Sequence, residues 1–116
     1  MELPRDALLL RIFLGEADEL GGEPVYQKIV LKAREMNLAG ATVLRGPMGF
    51  GQSSLLHTAK ILRLSADLPL IIEIVDSENK INEFMPALES MIGGGLVTLE
   101  KVQVLQYGND KPIDTP

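Results

Sequence analysis

Val43-Leu44-Arg45-Gly46-Pro47-Met48-Gly49-Phe50-Gly51-Gln52-Ser53-Ser54 is the stretch that decides between two architectures. Three glycines and a proline follow a short apolar run, so the backbone turns here in ways that residues bearing a Cβ resist. Gly46 to Ser53 is one residue away from the phosphate-binding pattern G-x-x-x-x-G-K-[ST], with Gln52 where the lysine belongs. The later apolar run ending in Asp76 even imitates a magnesium-holding strand. Without the lysine, however, the β and γ phosphates lose their cation, and 116 residues are too few for the doubly wound sheet that this loop serves. A nucleoside-triphosphatase loop is therefore the weaker reading. Two others stand: backbone N–H groups among the glycines bind an anion, or the glycines serve only to turn the chain.

The flanking segments favour the second architecture. Upstream, Ala7 to Leu14 alternates as a strand with Leu8, Leu10, Ile12 and Leu14 on one face and Leu9, Arg11 and Phe13 on the other. Gly15 to Gly22 is an acidic, turn-rich connector. Pro24 suits a first helical turn, and Val25, Tyr26, Ile29, Val30, Ala33 and Met36 form a helical stripe that Asn37 and Gly40 end. Ala41 to Arg45 is a strand running into the glycine-rich stretch. Leu55 to Ser65 fits helix or strand by periodicity, and an extended excursion with a short strand is preferred.

Beyond a turn at Ser65 to Pro69, Leu70 to Val75 is rich enough in β-branched residues for a central strand, and Asp76 or Ser77 caps the next helix. Ile81, Phe84, Met85, Leu88 and Ile92 recur with helical spacing, and Pro86 within them predicts a kink. Gly93-Gly94-Gly95 ends this helix, and Val97 to Leu105 alternates as a last strand. The order β-α-β-β-α-β, with an extended loop after the second strand, predicts an α+β fold of the ferredoxin-like, split βαβ plan, its antiparallel sheet carrying both helices on one face. The expected single domain spans 1–116, with a folded body at 6–107 and a frayed tail at 108–116. Strands that are apolar on both sides leave a patch to cover, which predicts a homo-oligomer.

Composition narrows the function. A net charge of −5 without clustered Lys or Arg argues against nucleic acid. The chain has no cysteine, so disulfides, thiolate zinc sites and cysteine nucleophiles are excluded. The first residues lack the pattern of a signal peptide, and the longest apolar run, Leu68 to Val75, is too short to span a bilayer, so a cytoplasmic protein without membrane insertion is expected.

Candidate chemistry is sparse. Gly93, Gly94 and Gly95 offer N–H groups to a phosphate or merely end a helix. His57 is the only histidine, so a metal site on it needs ligands shared between subunits, and a plain loop histidine is the simpler reading. Glu73 and Asp76 lie three apart in one strand, on opposite faces, which defeats paired acid-base work. No enzyme activity is expected.

Leu14-Gly15-Glu16, Thr42 to Gly46 with Met48-Gly49-Phe50-Gly51, His57, Leu64 to Pro69, Ile72 to Asp76 and Gly95 to Thr98 together resemble the uncharacterised prokaryotic PII-like family. The resemblance covers nearly everything from Ala7 to Tyr107. It implies the ferredoxin-like fold and a signalling trimer akin to the nitrogen-regulatory PII proteins, which bind adenine nucleotides between subunits. The ligand residues it implies here are Arg45, Gly46, Gly49, Phe50, Gly51, Gln52 and Ser53, with Gly93, Gly94 and Gly95 from the second glycine segment. No cofactor is certain; an adenine nucleotide is the candidate. The chain departs from PII in having Leu96 where the Gly-Asp-Gly-Lys loop places lysine, and it lacks the modifiable tyrosine of the long loop, so uridylylation is not expected. One alternative is a ligand-free interaction module docking on a protein at the membrane, a fluoride channel by gene neighbourhood. The other is a metal-handling trimer of the same fold, dependent on His57.

Overall fold

The computed structural model describes residues 3–50, 57–58 and 68–112. Among the described residues ten elements follow one another: β1 (Asp6–Gly15), β2 (Glu19–Leu20), β3 (Glu23–Pro24), α1 (Val25–Glu35), β4 (Thr42–Arg45), β5 (Met48–Gly49), β6 (His57–Thr58), β7 (Pro69–Asp76), α2 (Glu78–Met91) and β8 (Leu96–Gln103). The long strands form one antiparallel sheet in the order β4-β7-β1-β8, the order of the split βαβ plan.

Period-2 alternation sets the faces. Leu10, Ile12 and Leu14 stand opposite Ile74, Ile72 and Leu70, and all six are buried. Against them α1 buries Val25, Ile29 and Ala33, and α2 buries Ile81, Phe84 and Leu88, so both helices share one face of the sheet. Ser77 caps α2, its Oγ accepting from the Lys80 N–H at 3.2 Å. Helical backbone runs from Glu78 to Met91 on both sides of Pro86. Asn37 ends α1 in the left-handed region at φ 61°, with the Leu38 N–H bonded to the Ala33 carbonyl at 3.0 Å, a Schellman-type stop. Pro24 stands just outside α1, at its N-cap.

Two segments carry detail that the sequence reading did not specify. The acidic connector contains a small hairpin, β2 with β3, turned by Gly21 and Gly22 at φ 62° and 81°, which suits a two-residue turn that only such residues adopt without strain. The tail expected to fray from Gly108 begins as a closed turn: the Tyr107 and Asp110 backbones exchange hydrogen bonds at 2.9 and 3.0 Å. Residues 113–116 lie outside the described residues.

The other face of the sheet carries Ala7, Leu9, Arg11 and Phe13 of β1 beside Ile71, Glu73 and Val75 of β7. A second cluster of Leu3, Ala7 and Val104, with Val75, Val102 and Tyr107, covers one end of it. Toward the other end Leu44 and Leu96 are about half exposed, an apolar surface with no cover in one copy among the described residues. No described helix is long and apolar enough to cross a membrane.

Candidate functional site

Register brings the glycine-rich segments to one end of the sheet. Arg45 of β4 pairs with Leu70, Leu14 pairs with Leu70 from the other side, Gly15 pairs with Pro69, and Phe13 pairs with Leu96. The C-terminal ends of β1 and β4 therefore meet the N-terminal ends of β7 and β8. The two candidate segments still lie apart, because β4 and β8 are the opposite edges of the sheet. Three strand spacings of about 4.8 Å separate them by roughly 14 Å.

At the β4 edge, the Gly46 N–H donates to the Pro69 carbonyl at 2.7 Å. A Cβ on Gly46 or Gly49 would lie 3.0 or 3.1 Å from Cγ of Pro69, so the chain leaves the sheet packed closely on that ring. Met48 and Gly49 then pair with Thr58 and His57 as the ribbon β5–β6, which is the described part of the extended excursion. Phe50 is 76% exposed and Met48 59%. Gly51, Gln52 and Ser53 lie outside the described residues, as does the short strand expected near Ile61 to Ser65.

At the β8 edge the three glycines are not equivalent. Gly93 and Gly94 have open space where a Cβ would stand, whereas Gly95 has φ +99° and a Cβ there would lie 2.3 Å from the Phe13 carbonyl oxygen. Gly95 is thus demanded by the fold. Packing asks for nothing at Gly93 and Gly94. Leu96, in the place of the PII-type lysine, is 57% exposed.

Sequence reasoning did not find Glu16 as a site residue. Its carboxylate accepts from Nη2 of Arg45, and its backbone N–H donates to the Leu68 carbonyl at 2.8 Å. One residue thus ties both ends of the excursion, the exit at Arg45 and the return at Leu68. Only the pairing of β1 with β7 makes the contact visible, since Glu16 and Arg45 are 29 positions apart.

The opposite end of the sheet is held by side chains. Asp76, 2% exposed, accepts from the backbone N–H of Ala39 at 2.8 Å and of Ser77 at 2.6 Å, and the Tyr107 hydroxyl donates to the Ala39 carbonyl at 2.5 Å. Glu73, on the other face of β7, accepts from Nε of Arg11 at 2.8 Å. That hydrogen bond, with the Glu73 and Glu100 charges, raises the Arg11 guanidinium above its ordinary value against some desolvation. A groove of about 550 Å³ lies here, lined by Leu9, Arg11, Thr42, Glu73, Gln103 and Tyr107 among others. Among its described lining residues Arg11 is the one cation, and it is already engaged by Glu73 and Glu100, so the groove offers an anion little free charge. Among the described residues no three His, Cys, Asp or Glu come together as metal ligands, and of His57 only the backbone in β6 is described.

Comparison with known proteins agrees with this geometry. Residues 7–104 match the DUF190 family, described as Uncharacterized ACR. A UPF0166 protein of Aquifex aeolicus is 38% identical over 97 residues, covering 84% of this chain and 91% of that protein. A UPF0166 protein of Methanocaldococcus jannaschii is 37% identical over 99 residues, with the same coverage, 84% and 91%. Among solved structures, CPII, a nitrogen regulatory PII-like protein from Thiomonas intermedia K12 bound to ADP, AMP and bicarbonate, superposes with a TM-score of 0.62 at 16% identity, covering 85% of this chain and 88% of CPII. A PII-like signaling protein from Thermus thermophilus, described as putative in its structure, gives 0.62 at 16% identity, with 90% and 93% covered. On these matches the chain has the PII-like, ferredoxin-like fold and belongs to the DUF190 family, together with the UPF0166 proteins.

Proposed function

We propose that this chain is a non-enzymatic PII-like regulator of the cytoplasm that forms a homotrimer and binds an adenine nucleotide between subunits. One observation carries the reading: Arg45–Gly46 and Gly93–Gly94 share one end of the sheet but occupy its opposite edges. Each copy presents two half-sites, and a second copy, setting its β8 edge beside the first copy's β4 edge, completes one cleft. The half-exposed Leu44 and Leu96 next to these edges support association. The freedom of Gly93 and Gly94 from any packing demand supports a ligand role for their backbone N–H groups. CPII, which has this fold, was solved with ADP and AMP.

Light scattering with and without nucleotide, followed by calorimetric titration with ATP, ADP and AMP, tests the reading. The expected mass is about three times the 12.7 kDa chain, with nucleotide bound and affinity reduced in Arg45→Ala. A monomer, or no binding by any of the three at millimolar concentration, removes it.

A second reading rests on Phe50 and Met48, whose exposure near the ribbon suits docking on a protein partner, a membrane channel included. Deleting Pro47 to Ser54 then abolishes partner capture while leaving the oligomer intact; unchanged capture discards it.

A further inference from the structure

We propose that Glu16 is a latch on the ligand site: its carboxylate holds the Arg45 guanidinium, and an anionic ligand, a nucleotide phosphate above all, must take Arg45 from it. The inference rests on Arg45 being a ligand residue, and it goes further by making binding a replacement of one partner by another.

The asymmetry of the pair carries it. The Glu16 side chain is 12% exposed, while that of Arg45 is 60% exposed. Glu16 is also fixed by its backbone: its N–H is bonded to Leu68, and the neighbouring Gly15 N–H donates to Asp18 Oδ2 at 3.0 Å. Arg45 is the more exposed partner, a fork of five N–H donors at the end of a four-residue edge strand, with most of its surface open to solvent. A phosphate approaching Arg45 meets a cation whose charge the carboxylate already offsets. Binding must therefore break the pair or accept the repulsion of a nearby carboxylate.

The latch also has somewhere to report. Through its carboxylate Glu16 holds the exit of the excursion at Arg45, and through its N–H the return at Leu68. A ligand that draws Arg45 away releases one of these two ties and leaves the other. Occupancy of the cleft is thereby converted into looser anchoring at the base of β5–β6, the segment that carries the exposed Met48 and Phe50.

Two measurements test this. In the unliganded protein, NMR of the Arg45 Nε–Hε group, assigned by its loss in Arg45→Ala, should shift in Glu16→Gln, whose side chain keeps its size and loses its charge. An unchanged signal shows no pair in solution and overturns the latch while leaving the nucleotide reading intact. Calorimetric titration with ADP should then give about three- to fivefold tighter binding in Glu16→Gln, the scale of an exposed ion pair that no longer has to be broken. Equal or weaker binding in Glu16→Gln makes Glu16 a positioning residue and overturns the latch. If neither wild type nor Glu16→Gln binds ADP, the nucleotide reading falls and the latch with it.

Discussion

Gly95→Ala is the sharpest test of the join between β1 and β8, because the demand on Gly95 is geometric and its neighbour provides the control. The new Cβ would stand 2.3 Å from the Phe13 carbonyl oxygen, at a backbone φ of +99°. An L-residue forced to a left-handed conformation costs about 1–2 kcal/mol. The backbone oxygen cannot rotate away as a side chain would, so the strands must part at the end of the ladder, where Phe13 faces Leu96, giving up about one hydrogen bond worth roughly 1 kcal/mol. The sum is about 2–3 kcal/mol, or roughly 8–12 °C in Tm for a domain of this size. Gly94→Ala meets no atom within 4 Å and needs no positive φ, so its expected effect is within about 0.5 kcal/mol of zero. Urea unfolding of both variants at one fixed subunit concentration provides the comparison, fixed because association contributes to apparent stability. If Gly95→Ala unfolds together with Gly94→Ala, the close approach of β8 to Phe13 is wrong. If Gly94→Ala keeps its stability but loses nucleotide affinity, that glycine serves a ligand.

Asp76→Ala leaves the N–H groups of Ala39 and Ser77 without their acceptor in a nearly dry site, and should lower unfolding free energy by about 2 kcal/mol in the same urea assay. Leu96→Lys places a cation beside Gly93 to Gly95 at a position already 57% exposed, so it should leave Tm within a degree or two and tighten ADP binding about fivefold by calorimetry. Tyr107→Phe removes the hydroxyl bond to the Ala39 carbonyl, and should cost about 1 kcal/mol by urea unfolding while hydrogen exchange at Ala39 to Ala41 quickens.

The sheet is readable wherever alternation is clean. Leu8 to Leu14 and Leu70 to Ile74 announce their buried faces residue by residue, and the Ile81, Phe84, Leu88 stripe announces α2. The small hairpin escapes notice although Gly21-Gly22 is a turn signal, because strands of two residues have no periodicity to detect. Asp76 is readable as a cap candidate but not as the acceptor for Ala39, a contact that spans 37 positions and depends on how α1 returns to the sheet. For the candidate site, composition marks the glycine segments as places where the chain turns. Their placement on opposite edges, the special demand on Gly95 and the grip of Glu16 on Arg45 are properties of register and φ, which residue types alone do not encode.

The two ends of this sheet are built by different means. One end is tied by Asp76, Tyr107 and Ala39, while the other is shaped by glycines, Pro69 and the Glu16–Arg45 pair. The eight residues of β7 hold them roughly 23 Å apart, beyond the range over which substitutions usually couple. Changes at the glycine end can therefore accumulate with their costs simply added to those at the fastened end. Substitutions around Gly46, Pro69 and Leu96 can be made without disturbing the Asp76 and Tyr107 contacts that hold the other end.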